Sequence, residues 1–408
     1  MLTPRSCPGR RRRVIRQVGS LLALSYVILA AGCAEDDGLP SGPTSEPELA
    51  SAAAGALAFE HVTVGYGFAC GVTAADGRAY CWGENQNGAL GDGTRINRSR
   101  PTAVAGRLRF RHLSAGSLHA CGVTDDFKVY CWGYGGDGQL GNGSTNPARP
   151  TPAAVAGGSQ FRQVKAGDGH TCAITRSNVA YCWGDNANGA LGDGTTTRRL
   201  TPVKVKGGHL WSQLAGGFRF NCGVTQENLA YCWGINTLPD GTSPPRLTPT
   251  AIPGGQRFRV IEAGAGHVCA ITTVDRLYCW GYNTDGEVGT GATTYYYPSP
   301  VAVAGTRRYS QLGAGYTHSC AVTFAAKAFC WGFNGSGQLG DGTGTTRLLP
   351  TAVIGGVPLT KVSAGVMHSC GVTAAGKAYC WGDNWSGELG TGTTGPEIRS
   401  PVAVAPPL

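Results

Sequence analysis

Over most of this chain, short apolar runs alternate with turns rich in Gly, Asp and Asn. Residues 110–157 show the unit: FRHLSAGSLHACGVTDDFKVYCWGYGGDGQLGNGSTNPARPTPAAVAG. Four extended segments stand out in it, Phe110–Ser114, Ala120–Thr124, Lys128–Trp132 and Thr151–Val155, called strands a to d. Aligning the chain on Cys-Trp-Gly gives Trp82, Trp132, Trp183, Trp233, Trp280, Trp331 and Trp381, spaced by 47 to 51 residues. Four strands per ~50-residue repeat predicts an all-β protein, a seven-bladed β-propeller of four-stranded blades. One blade cannot bury both faces of its sheet, whereas seven in a ring can.

The repeated series AG-x-x-H-x-C-[GA]-[VI]-T, then [YF]-C-W-G-x-N-x-x-G-x-L-G-[DNT]-G-[TS] and P-x-x-V, resembles the regulator-of-chromosome-condensation repeat family. That resemblance covers about residues 58–405 and implies a seven-bladed propeller. Its members include a nuclear guanine-nucleotide exchange factor, a plant photoreceptor and a secreted β-lactamase inhibitor, so it implies no single activity.

Composition agrees with a turn-rich β protein. Gly (65) and Pro (23) are abundant, and both weaken helix interiors. With nine Trp and only 14% charged residues, the chain is not of disordered type. The net charge of +9 is uneven, because six Arg precede residue 33 with no acid among them. Without them the balance is +3, which offers no global field for nucleic acid.

The front of the chain has the layout of an export signal. Basic residues 5–16 precede an apolar stretch, Val18–Ala31, too short to span a bilayer. It ends Leu29-Ala30-Ala31-Gly32-Cys33, which resembles a bacterial lipobox, so Cys33 is the expected lipidation site. An ordinary cleaved signal stays open as the alternative. Residues 1–32 are thus read as a signal peptide, 33–57 as a lipidated Cys and flexible tether, and 58–405 as the propeller. The expected place is the bacterial cell envelope, membrane-anchored with the outer membrane preferred, or secreted.

Fourteen of the sixteen cysteines fall into one pair per repeat. The pairs are Cys70 with Cys81, Cys121 with Cys131, Cys172 with Cys182, Cys222 with Cys232, Cys269 with Cys279, Cys320 with Cys330, and Cys370 with Cys380. Each flanks the b–c turn. In the register that opposes them, Gly or Ala after the first Cys always faces Tyr or Phe, leaving room for a ring. Seven disulfides are expected, and with them an oxidising compartment. Zinc held by the Cys pair and the nearby His is the rival reading. Against it, Phe68 and Phe220 replace that His while their Cys pairs persist, and the spacing is long for zinc.

No catalytic signature is present, so neither an enzyme nor a cofactor is expected. Glu84, Asp185 and Asp383 are the acids an enzymatic channel mouth would need, but they are dispersed in sequence. The a–b turns and c–d loops share one face, where Arg precedes Pro in six repeats. The fifth repeat carries Tyr295-Tyr296-Tyr297 instead, and the fourth has lost its Gly-x-Leu-Gly segment and holds Phe218-Arg219-Phe220. Tyr66, Phe68, Tyr316 and Trp385 are assigned to the same face. Arg, Tyr and Trp are enriched where proteins recognise partners. The expected binding site is Tyr295, Tyr296, Tyr297, Phe218, Phe220 and Arg246. The resulting expectation is a monomeric binding module, meeting the membrane through its lipid anchor only, for a protein or an envelope component such as a glycan or anionic group. A secreted inhibitor or an exchange factor is the alternative.

Overall fold

The computed structural model describes residues 57–235 and 245–408. The expected signal peptide, Cys33 and the expected tether before Leu57 lie outside the described residues. Seven antiparallel sheets of four strands follow in chain order, each made from one repeat. In the first blade the strands are Phe59–Val64, Phe68–Thr73, Ala79–Gly83 and Arg98–Ala103, and in the last Leu359–Ala364, His368–Thr373, Ala378–Asn384 and Gly395–Ala403.

Each blade keeps its own four strands, so the ring closes without exchange of a strand between its ends. Phe59 N donates to Gly376 O at 2.7 Å, and Val64 N to Ser363 Oγ at 3.1 Å. Trp82 of the first blade packs into the last, donating Nε1 to Glu388 O at 2.9 Å.

That indole contact is the repeat's main joint. The Cys-Trp-Gly Trp is buried in every blade. Six of the seven donate Nε1 to a backbone carbonyl in the c–d loop of the preceding blade, as Trp132 does to Ala89 O and Trp183 to Gln139 O. The second Gly of Gly-x-Leu-Gly sits on the same indole. Gly91 has φ +67°, and a β-carbon there would lie 2.7 Å from Trp132 Nε1. Both positive φ and missing side chain require glycine here. The fourth blade lacks this segment. Correspondingly, Trp280 Nε1 of the fifth blade has no acceptor among the described residues.

The b–c register is the one read from the sequence: Cys121 opposes Cys131, Gly122 opposes Tyr130 and Ala120 opposes Trp132. The other six central hairpins repeat it, with Cys70 opposite Cys81, Cys172 opposite Cys182, Cys222 opposite Cys232, Cys269 opposite Cys279, Cys320 opposite Cys330, and Cys370 opposite Cys380. Each of these seven pairs forms a disulfide, with Cα separations of 4.0–4.1 Å.

The His before the first Cys is explained by the neighbouring blade. His119 Nε2 lies 2.8 Å from Thr171 Oγ1, whose own proton goes to Gln139 O. His119 Nε2 is therefore the donor, in a relay of ring to hydroxyl to carbonyl. His267 with Ser319 and His318 with Ser369 repeat it. Burial drives the His119 and His318 pKa values down to about 3, so these rings are neutral.

Phe replaces His where that hydroxyl is missing. The blade after Phe68 offers Ala120 at this position, and the blade after Phe220 offers Val268. These rings fill the cavity a His would occupy and need no partner. His368 is the exception, because the first blade offers Ala69 and neither of its ring nitrogens is bonded among the described residues.

Candidate interaction face

The two ends of the ring differ. At one end the a–b turns of all seven blades form the rim of the central channel, Gly65-Tyr66 through Gly365-Val366. The c–d loops spread outward from the same end. Inside, the first strands are stitched blade to blade. Their N–H groups have side-chain acceptors from the neighbour, such as Leu214 N to Gln163 Oε1 and Ile261 N to Gln213 Oε1, both 3.1 Å. Lys165 of the third blade reaches Glu262 of the fifth at 2.7 Å across the channel. Beside this pair His61 and His112 stack with ring centroids 5.5 Å apart. Burial and the charges of Lys361 and Lys165 push the His61 pKa down to about 4. The cavity here is about 400 Å³.

On the rim, Phe218 meets Tyr316 edge-on at 6.2 Å, and the Arg219 guanidinium lies 5.1 Å over the Phe218 ring. Tyr316 O accepts from Ala265 N. The next residue, Gly266, leaves room for the Tyr282 ring, which a β-carbon there would approach within 2.6 Å. Tyr282 in turn packs edge-on against Tyr295 at 5.5 Å and Tyr296 at 5.2 Å. Two aromatic clusters thus stand at this end, Phe218 with Tyr316 on the rim and Tyr282 with Tyr295 and Tyr296 farther out on the fifth blade, bridged by the Ala265-Gly266 backbone. Tyr295 is 63% exposed and Tyr316 41%. Tyr66 on the rim is exposed too.

Several sequence assignments change. Phe220 is fully buried in the blade core, and so is Phe68, for the packing reason above. Tyr296 and Tyr297 are half-buried rather than exposed, because they begin strand d of the fifth blade, Tyr296–Ala302. Tyr297 packs against the core and bonds Thr290. The Arg residues before Pro are not a free rim. Arg98, Arg149, Arg199, Arg246 and Arg347 each start a strand d, opposite the Gly of Cys-Trp-Gly. Among the described residues, three of them clasp a buried Asp of their own loop: Arg98 Nε to Asp92 (2.9 Å), Arg199 Nε to Asp193 (2.9 Å) and Arg347 Nε to Asp341 (2.7 Å). Burial alone would raise the Asp92 carboxyl, but hydrogen bonds from Thr94, Arg98 and Asn85 outweigh it and hold its pKa below the usual value. Arg246 lies on the seam with the third blade, where Gly194 N donates to the adjacent Leu247 O.

Tyr282 was not singled out in the sequence. It stands directly after Cys-Trp-Gly, where other blades put Glu84, Tyr134, Asp185, Ile235, Phe333 and Asp383. The aromatic character of that position beside the Tyr run was the available signal. Of the dispersed acids, Glu84 and Asp383 do converge with Glu388 at the joint of the last and first blades, and Asp185 stays in the third. Desolvation, with added repulsion from Asp383 and Glu84, raises the Glu388 pKa to about 7. Its Oε2 accepts from Ser386 N at 2.8 Å, as Gln139 and Gln338 Oε1 do in their own turns, which gives it a structural task.

The fold and this face define a ring of disulfide-stapled repeat blades carrying its variable aromatic residues at one end of the channel. The RCC1-like domain model matches residues 22–315, and regulator of chromosome condensation (RCC1) repeat models match 327–372, and 309–338 with 359–388. The chain belongs to the RCC1-like domain family. Among curated relatives, the human E3 ubiquitin-protein ligase HERC2 is 33% identical over 124 residues, which is 29% of this chain and 3% of HERC2. The chain thus spans a very small part of that protein. Yeast RCC1 (Prp20), solved with Kap60 bound, superposes with a TM-score of 0.72 at 21% identity, covering 86% of this chain and 85% of the other. The CRINKLY ectodomain of the Arabidopsis thaliana receptor kinase ACR4 gives 0.54 at 21%, covering 86% and 99%. These two likenesses establish the fold. The seven disulfides point to an oxidising, extracytoplasmic environment.

Proposed function

We propose that the protein is an exported, non-catalytic binding module, anchored through an acylated Cys33, that captures a protein or envelope component on its channel-rim face. The observation carrying this reading is the pair of aromatic clusters at one end of the ring, Phe218 with Tyr316 and Tyr282 with Tyr295, bridged by the Ala265-Gly266 backbone. Rings with few rotatable bonds lose little entropy when they are covered, and they dominate binding energy at interfaces. The c–d loops of the fifth and sixth blades are tied down by Asn283, whose Nδ2 bonds the Ala292 and Thr294 carbonyls, and by Asn334, whose Nδ2 bonds Asp341 and the Thr343 and Thr345 carbonyls. The face is therefore pre-organised.

The test is capture from envelope extract with the full chain. A variant with Tyr282, Tyr295 and Phe218 changed to Ser is expected to lose the partner while keeping its melting temperature within a few degrees. Full capture by that variant would refute the site. Turnover of a glycan or peptide by the purified chain, abolished on substituting Glu388, would refute the non-catalytic reading.

A further inference from the structure

The opposite end of the ring, made of the b–c turns and d–a links, has a different chemistry. Six of the seven b–c turns carry an exposed base: Arg78, Lys128, Arg176, Arg276, Lys327 and Lys377. Over these turns, the d–a links and the first three residues of each strand a, sixteen Lys and Arg stand against six Asp and Glu. The chain's small overall balance hides this polarity, since the rim end carries acids such as Glu84, Asp137, Asp185 and Asp285, and much of its Arg is bound to Asp.

The same end also exposes large apolar side chains on adjacent blades. Val274 (60% exposed) and Phe324 (65%) sit in the b–c turns of the fifth and sixth blades, with Leu210 (43%) and Leu229 (38%) on the fourth. Arg308 is fixed beside them, donating Nη1 to Val274 O at 2.8 Å, and Arg276 and Lys327 belong to the same two turns. Apolar side chains at turn tips, ringed by Lys and Arg on a broad surface, are what an anionic bilayer accepts. The bases meet headgroup phosphates, and the tips enter the headgroup–acyl boundary. A soluble polyanion would leave the tips uncovered.

The geometry points to the b–c end as a docking surface for an anionic phospholipid bilayer, which turns the aromatic rim face away from the membrane. This goes beyond the binding-module reading and does not depend on lipidation.

The test uses the full chain with C33S, so that no acyl group contributes, and vesicles of phosphatidylcholine with and without phosphatidylglycerol. Binding is expected only with phosphatidylglycerol, and it should weaken steeply as salt rises. R276E/K327E and V274S/F324S are each expected to weaken it by about tenfold or more. These positions are solvent-exposed, so a melting curve should confirm that both variants stay folded. Equal binding to neutral vesicles, or none to anionic ones, overturns the proposal. So does undiminished binding of V274S/F324S, which would mark a site for soluble polyanions instead. Capture on the rim face should be unchanged in both variants, so failure of one reading leaves the other standing.

Discussion

Tyr297 Oη lies 3.0 Å from Thr290 Oγ1, in the two positions where other blades place Arg and Asp. Tyr297 opposes Gly281 as Arg98 opposes Gly83, and Thr290 occupies the place of Asp92 between two glycines. The fifth blade has therefore exchanged a charged latch for a neutral one, in which Tyr297 ties down its own loop. Y297S should lower stability by about 1–2 kcal/mol, while Y297R/T290D should restore most of it. Thermal melts of the three proteins check this. Restoration by Y297R alone would show that the pair is not a latch.

Replacing His368 should stabilise the ring. Burial lowers its pKa to about 3, against the Phe68 backbone, which favours the charged form, and among the described residues neither ring nitrogen meets a well-formed hydrogen-bond partner. H368F copies the solution used at Phe68 and Phe220. It is expected to gain about 1–2 kcal/mol at pH 7. The pH dependence follows from the same residues. The folded pKa values of His119, His318 and His368 are about 3, against 6.5 unfolded. Their stability contribution is complete above pH 6.5 and is lost as pH falls toward 3, roughly 1.4 kcal/mol per pH unit for each. Melting temperatures should drop steeply from pH 6.5 to 4, less steeply in H368F. A flat profile in both proteins would contradict neutral buried rings.

Glu388 has the opposite sign. Its folded pKa of about 7 exceeds the unfolded 4.5, so it favours folding most below pH 4.5 and progressively less as pH rises through 7. E388Q keeps the turn geometry seen at Gln139 and Gln338. It should stabilise the protein by about 1–3 kcal/mol at pH 8 and hardly at all at pH 4. A gain independent of pH would mean the carboxyl is not held protonated.

Blades and cysteine register were legible in the sequence because their residues recur from copy to copy, whereas the way the ring closes was not. Trp132 and the Gly122–Tyr130 pair (Gly or Ala against Tyr or Phe) recur in all seven blades, and Gly91 in six. The site was less legible because it lies where copies differ, and a difference has two readings. Phe220 looked like a surface aromatic beside Phe218, yet it marks the absence of a hydroxyl at Val268 in the next blade. Arg98 looked like a rim charge because its partner, Asp92, lies six residues earlier in a loop. Comparing repeats would have revealed both, since in the sequence Asp stands six residues before Arg in four blades and Thr accompanies Tyr297 or Ile398 in two. Tyr282 came into view only when its ring was seen against Tyr295 and Tyr296.

Rigidity, the exported setting and the pre-organised face all depend on the sulfur bridge across each central hairpin, and peptide mapping of alkylated, unreduced protein from its native compartment reads those bridges directly. The expected map joins Cys70 to Cys81, Cys121 to Cys131, Cys172 to Cys182, Cys222 to Cys232, Cys269 to Cys279, Cys320 to Cys330 and Cys370 to Cys380, with none of the fourteen alkylated. Alkylated cysteines in folded protein, or bridges between blades, would contradict it.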